Sequence, residues 1–225
     1  MKPSPATLAA WGVATATLWA VATWTGGDGL AVAAKPLPVL CMAAWALTAG
    51  DGRYGALVGA GLVMGALGDL LLALDGLFVP GLASFLVAHV LYAAAFTLDV
   101  RALRPTRALP FAVFGGLMLA TLWGGLGEMA APVSLYTAAI CAMLWRAAAR
   151  VQGRDWRRWA GLVGAASFAL SDSMIAVNLF HTPLYETGEA VMATYWLGQL
   201  GVTLTVPREG QVPSPPPARS SSLRS

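Results

Sequence analysis

Polar positions are sparse along this chain, and they divide it at regular intervals. Reading between Gly, Pro and charge breaks gives eight mostly apolar stretches, at about 7–23, 29–49, 55–74, 81–98, 108–126, 132–149, 159–180 and 188–206. Each approaches the ~20 residues a helix needs to cross a ~30 Å hydrocarbon core. The pattern predicts an all-α polytopic membrane protein, with eight transmembrane helices filling residues 1–206. Asp75, Gly76 and Pro80 separate the third stretch from the fourth. From Pro207 the chain becomes Pro- and Ser-rich, "PREGQVPSPPPARSSSLRS", and residues 207–225 are expected to form a disordered cytoplasmic tail.

Composition agrees. Of 225 residues 57% are hydrophobic and 11% charged, and the mean hydropathy is +0.66. A soluble domain carries roughly a quarter charged residues. The opening "MK" and the later "AVAAK" resemble parts of a secretory signal, but that cleavage site would lie inside the second apolar stretch, so the first stretch reads as a membrane helix.

Charge then supplies orientation. Thirteen of the fourteen basic residues fall on one side, before the first stretch, around alternate junctions, or after the last, the remaining one being Lys35 within the second. The other four connections hold no Lys or Arg, only Asp28, Asp75, Glu128, Glu186 and Glu189. The positive-inside rule puts both termini in the cytoplasm, and a bacterial plasma (inner) membrane is the expected location. The basic residues form no single face for nucleic acid, so no nucleic-acid partner is expected; topology explains them better than binding of anionic headgroups. Oligomeric state is left open.

Against this background the intramembrane polar residues stand out: Asp69, Asp172, Lys35, His89, Tyr92, Tyr136, Asn178, Tyr195 and Gln199. Counting at ~1.5 Å per residue from the external helix ends puts most of them roughly 6–14 Å below the outer edge of the core. Tyr92 and Gln199 reach nearer the midplane, and the inner halves hold no comparable set. Gly61, Gly65 and Asp69 recur every four residues, a small-residue stripe that faces other helices. Phe85, His89, Tyr92 and Phe96 share one face of the fourth stretch, as Gly188, Met192, Tyr195, Gln199 and Thr203 do in the eighth. Ser167, Ser171 and Asn178 share a side of the seventh, with Asp172 at its border. Asp69 to Tyr92 and Asp172 to Tyr195 are each 23 residues, which suggests two four-helix halves in parallel repeat.

A carboxylate at mid-bilayer costs ~2.5–3.5 kcal/mol on insertion scales, so two such residues mark a pathway or chemistry more often than packing. Lys35 either snorkels to the outer interface or serves the site. Pro36 disturbs the helix just after it and frees a carbonyl. Asn178 and Gln199 suit helix–helix contacts, and His181 sits at a loop edge. Two histidines and no Cys/His cluster give no zinc site, and Cys41 and Cys141 read as small buried hydrophobes. There is no P-loop, GxSxG or dinucleotide fingerprint, and no cofactor is expected.

The successive segments "KPLPVL" (35–40), "GALGDLLL" (65–72), "GLASFLVAHVLYAAAF" (81–96), "SFALSDSMIAV" (167–177) and "VMATYWLGQL" (191–200) resemble, in order and spacing, the signatures of the YhhN-like lysoplasmalogenase family. The resemblance covers roughly residues 30–205; the sixth stretch matches through Pro132, Tyr136 and Met143, and the Pro-rich tail lies outside it. It implies eight membrane helices and hydrolysis of the vinyl ether bond of lysoplasmalogens, releasing a fatty aldehyde and a glycerophosphoethanolamine or glycerophosphocholine.

That reaction begins with protonation of the outer alkene carbon and ends with attack of water on an oxocarbenium ion. It needs one neutral acid and one nearby base or negative charge, which two carboxyls in an apolar pocket can supply. Asp69 and Asp172 are the expected catalytic pair, with no assignment between them, and His89 beside them. Lys35 would hold one ionised or bind the phosphate. Tyr92, Tyr136, Tyr195 and Gln199 complete a substrate-binding set, with His89 and Tyr195 orienting water or the ether oxygen. The lysophospholipid chain would lie among the helices and its headgroup near the outer surface. The competing class is a small proton- or cation-coupled transporter using the same acids, which the confinement of the polar set to the outer half disfavours. A lipid-binding scaffold without chemistry is a third reading.

Overall fold

The computed structural model describes residues 4–49, 52–184 and 188–206, and among these the chain is helical with no strands. The tail expected at 207–225, and with it Lys2, Glu186 and the last three arginines, lies outside the described residues. The helices are α1 (Pro5–Trp24), α2 (Asp28–Ala34), α3 (Leu37–Ala49), α4 (Gly52–Leu72), α5 (Phe78–Asp99), α6 (Leu109–Leu126), α7 (Ala130–Arg150), α8 (Trp156–Phe180) and α9 (Gly188–Thr203). Short 3₁₀ turns at Pro105–Arg107 and Gly127–Met129 lead into α6 and α7.

Local chemistry accounts for the element ends. The Ser4 hydroxyl caps α1 by accepting from the Thr7 amide at 3.1 Å, and Asp155 caps α8 from the Arg157 amide at 3.0 Å. Gly76, at φ +77°, turns the chain between α4 and α5, where a side chain would be strained. Pro36 and Pro38 have no N–H to offer the carbonyls of Val32 and Ala34, so the second apolar stretch divides into α2 and α3 at Lys35–Pro36. Threonines facing outward satisfy their own hydroxyls on the preceding turn, as Thr17 does on the Val13 carbonyl at 2.9 Å.

Among the described residues six stretches are long and apolar enough to cross a membrane, of which Pro105–Arg150, at 46 residues, contains both α6 and α7. The described part of α9 has 16 residues. Large apolar side chains are exposed all around the bundle, including Trp11, Leu117, Trp123, Leu135, Val163 and Leu197, which suits contact with lipid rather than water. The protein is an integral membrane protein.

Packing is tightest between α4 and α5 and between α8 and α9. At the second pair backbone meets backbone: a Cβ at Gly164 would lie 2.7 Å from the Gly201 Cα. At the first pair, the α4 glycine stripe lies under rings and amides of its neighbours; a Cβ at Gly68 would sit 2.6 Å from the Phe85 ring. The core around them joins Val58, Leu62, Tyr92, Phe96, Met143 and Phe168.

Helix ends gather at two poles. At one, Trp24 of α1 donates its indole N–H to Glu189 of α9 at 2.6 Å, and Phe78 meets Phe180 edge to face. The other pole is held by arginines. Arg146 donates to the Thr97 hydroxyl at 2.9 Å and to the carbonyls of Val100, Ala102 and Leu103, just past the end of α5. Arg150 pairs with Asp99 at 2.8 Å and lies over the rings of Phe96 and Tyr54. Arg107 donates to the carbonyls of Ala148 and Val151 at the end of α7. Arg146 and Arg150 are 4% and 3% exposed, although the sequence pattern grouped both with the junction of the sixth and seventh stretches. α7 runs on to Arg150, and acceptors left unpaired at neighbouring helix ends draw them in.

Candidate active site

α4, α5, α7, α8 and α9 converge on two hydrogen-bonded clusters. In the first, Asp69 on α4 is 3% exposed and its Oδ2 accepts from the Tyr195 hydroxyl on α9 at 2.8 Å. In the second, Asp172 on α8 accepts at Oδ2 from the Tyr136 hydroxyl on α7 at 2.9 Å. His89 Nε2, on α5, stands 3.1 Å from both that oxygen and the Tyr136 oxygen. In the tautomer protonated at Nε2, that N–H faces two acceptors at once. His89 itself is fully buried, and its Nδ1 has no hydrogen-bond partner among the described residues.

Aromatic rings hold the two clusters side by side. Phe168, one turn before Asp172 on α8, packs 4.7 Å from the His89 ring and 5.2 Å from the Tyr195 ring. Phe85 closes a three-ring group with Phe168 and Tyr195, all edge to face. Lys35 and Asp172 both lie within electrostatic reach of Asp69.

One turn further along α5 and α9, the Tyr92 hydroxyl donates to Gln199 Oε1 at 2.7 Å, both fully buried. Gln199 also lies one turn from Tyr195 on α9. The tyrosines of the suggested repeat take different partners, Tyr195 an aspartate and Tyr92 an amide.

Two cavities lie beside Asp172 and Lys35, and Asp69, His89 and Tyr195 line neither of them. The first is an apolar crevice between α5, α6, α7 and α8, walled by Leu82, Phe114, Met118, Leu122 and Ile140, with Tyr136 and Asp172 the polar groups in its wall beside Ser173 and Thr137. The second lies at the pole where α1 ends and α9 begins, and is lined by Lys35, Asn178, Glu189, Thr23 and Trp19. Ile175 and Leu179 line both, so the apolar crevice and the polar pocket adjoin across α8.

The residues singled out in the sequence divide accordingly. Asp69 with Tyr195, and Asp172 with His89 and Tyr136, are brought together; Lys35 opens into the polar pocket; Tyr92 and Gln199 line neither cavity. Asn178 does not reach the carboxylates with its carbonyl, which accepts from the Leu184 amide at 2.7 Å. Sequence reasoning missed Phe168, although its i, i+4 spacing to Asp172 places both on one face. It also missed Ser84, whose hydroxyl ties α5 to the Met64 carbonyl of α4 at 2.6 Å, and the pairing of Trp24 with Glu189. Among the described residues no group of His, Cys, Asp and Glu has the makings of a metal site.

Comparison with known proteins places this arrangement in context. The model of the YhhN family matches residues 30–206. The chain is 36% identical to the human (Homo sapiens) lysoplasmalogenase TMEM86B over 191 residues, 82% of this chain and 80% of that protein. It is 39% identical to human lysoplasmalogenase TMEM86A over 184 residues, 76% of this chain and 75% of that protein. A lysoplasmalogenase of Mycobacterium tuberculosis is 32% identical over 166 residues, covering 69% of this chain and 62% of the relative. No solved structure matches the chain.

Proposed function

Because the chain belongs to the YhhN family, and its similar relatives bear the name lysoplasmalogenase, we propose that it hydrolyses the vinyl ether bond of lysoplasmalogens. The observation that carries the reading is the placement of Asp172: held by Tyr136 and His89, it lies in the wall of an apolar crevice that adjoins a polar, lysine-bearing pocket. That is the layout an amphiphile with one reactive bond between chain and headgroup requires.

The aliphatic chain occupies the crevice along Leu82, Met118 and Leu122, and the headgroup occupies the pocket, where Lys35 binds the phosphate. One aspartate of the pair gives its proton to the outer alkene carbon, and the ether oxygen shares its electrons to form an oxocarbenium ion. The other carboxylate faces that positive charge and takes a proton from the attacking water. The resulting hemiacetal collapses: its hydroxyl proton passes to the aspartate left ionised by the first step, the other aspartate gives its proton to the departing glycerol oxygen, and the C–O bond breaks to give the aldehyde and the glycerophospho-alcohol with both carboxyls restored. Tyr136, Tyr195 and His89 fix the carboxyl oxygens, so little reorganisation accompanies proton transfer. Tyr92 and Gln199 support Tyr195 from beneath.

We place eight crossings in the membrane: α1, the broken α2–α3 pair, and α4 to α9 singly. The arginine pole and both termini then face the cytoplasm, and the site faces the outer leaflet of the plasma membrane. The asymmetry of basic residues supports this orientation.

The test is mass spectrometry of lipids consumed by the purified protein, with aldehyde release from a lysoplasmalogen as the expected result. Substrate-dependent ion flux in liposomes without aldehyde would replace the hydrolase by a carrier.

A further inference from the structure

Lys35 and Glu189 carry opposite charges and line one pocket, yet they form no ion pair within 4.0 Å. Two such groups left apart across a cavity complement a molecule bearing both charges. Glu189 is not free to wander: the Trp24 indole N–H holds its Oε1 at 2.6 Å, fixing the carboxylate at the pocket rim and leaving Oε2 available. Trp19, Thr23 and Asn178 supply further walls and polar atoms. Lys35 is partly buried and within electrostatic reach of Asp69, while Glu189 stands exposed in the first turn of α9.

We propose that Glu189, oriented by Trp24, receives the ammonium of a zwitterionic headgroup whose phosphate lies on Lys35, and so sets headgroup selectivity. This deepens the reading above and depends on it for the identity of the substrate. The order of charges follows from the pocket. In a phosphoethanolamine or phosphocholine lipid the phosphate is nearer the glycerol and the amine lies beyond it. The inner Lys35 and outer Glu189 repeat that order, reading outward from the carboxylate pair. A headgroup lacking the amine would bring its phosphate alone to a rim already bearing a negative charge.

The experiment separates binding from turnover by using 1-O-alkyl lysolipids, whose saturated ether cannot be protonated at an alkene carbon. Affinities are measured by native mass spectrometry for the phosphoethanolamine form and for the phosphate monoester, which lacks the amine. Wild-type protein is expected to prefer the zwitterion. Glu189→Gln should reduce that preference about fivefold, the scale of a partly solvated ion pair. Glu189→Lys should reverse it. Trp24→Phe keeps the bulk of an exposed ring but removes the indole donor, and should give an intermediate loss. Equal preference in wild type and Glu189→Gln, or no binding of either lipid, would overturn the assignment. Failure of the hydrolase reading is distinguishable, because it appears as absent aldehyde release from a vinyl ether substrate whatever the saturated lipids do.

Discussion

Tyr195 donates its hydroxyl proton to Asp69 over 2.8 Å although 126 residues separate them in sequence. The bond joins the end of α4 to the middle of α9, and it forms only where α8 lets α9 approach. Asp69 thus depends on the packing of helices that never touch it covalently or in sequence.

Replacing either acid of the pair should abolish chemistry. Asp172→Asn and Asp69→Asn are isosteric and are each expected to lower kcat by about 10²–10⁴-fold, the usual weight of a positioned proton donor or acceptor. Aldehyde release measures the loss, and an unchanged thermal transition in detergent shows that the bundle persists. Full activity in both variants would remove the aspartates from the reaction.

Tyr136→Phe removes the donor to Asp172 and leaves the ring that borders His89. A loss of roughly 10- to 100-fold in kcat with little change in KM is expected, from the ~1.5–3 kcal/mol scale of a hydrogen bond to a charged group. Steady-state kinetics separate the two parameters.

If the alkenyl chain occupies the crevice as proposed, the crevice limits its length. Met118 lies in the wall, and Met118→Trp adds bulk there. The preferred substrate should become shorter, read as a shift in kcat/KM across lysoplasmalogens of graded chain length. An unchanged profile would place the chain elsewhere.

Gly201→Val tests the backbone contact between α8 and α9. A Cβ there would sit 2.5 Å from the Gly164 Cα, and backbone cannot rotate aside as a side chain can. The cost should equal or exceed the ~1–3 kcal/mol of ordinary overpacking, seen as a lower Tm. Surviving protein should also lose activity, since α9 carries Tyr195 away from Asp69.

Arg146→Met leaves a hydroxyl and three carbonyls without their donor at the arginine pole. Unsatisfied buried acceptors cost ~1–3 kcal/mol each before relaxation, so a marked drop in thermal stability is expected. KM of the folded fraction should be unaffected, because the pole is remote from both cavities.

Much of this was legible from residue order. The apolar lengths located the helices, and the Gly61–Gly65–Asp69 stripe correctly aimed the acid at protein. Helical spacing put His89 beside Tyr92 and Tyr195 beside Gln199, but spacing along one helix cannot choose partners on another. Hence the division into an Asp69–Tyr195 cluster and an Asp172–His89–Tyr136 cluster, with Tyr92 paired to Gln199, emerges only from the three-dimensional packing. Arg146 and Arg150 were hidden for a different reason. Their charge suggested a connection, while their real neighbours, carbonyls at the ends of other helices, carry no mark in the residue code. Gly164 and Gly201 pass unnoticed among 25 glycines because their value lies in the backbone that approaches them.

The arginine pole binds two demands into the same atoms. In the orientation proposed above, the guanidiniums that set which way the chain faces are also, after assembly, the clasps that finish α5 and α7. Neutralising them to reverse the protein in its bilayer would then unstitch the bundle as well, so topology and fold would fail together.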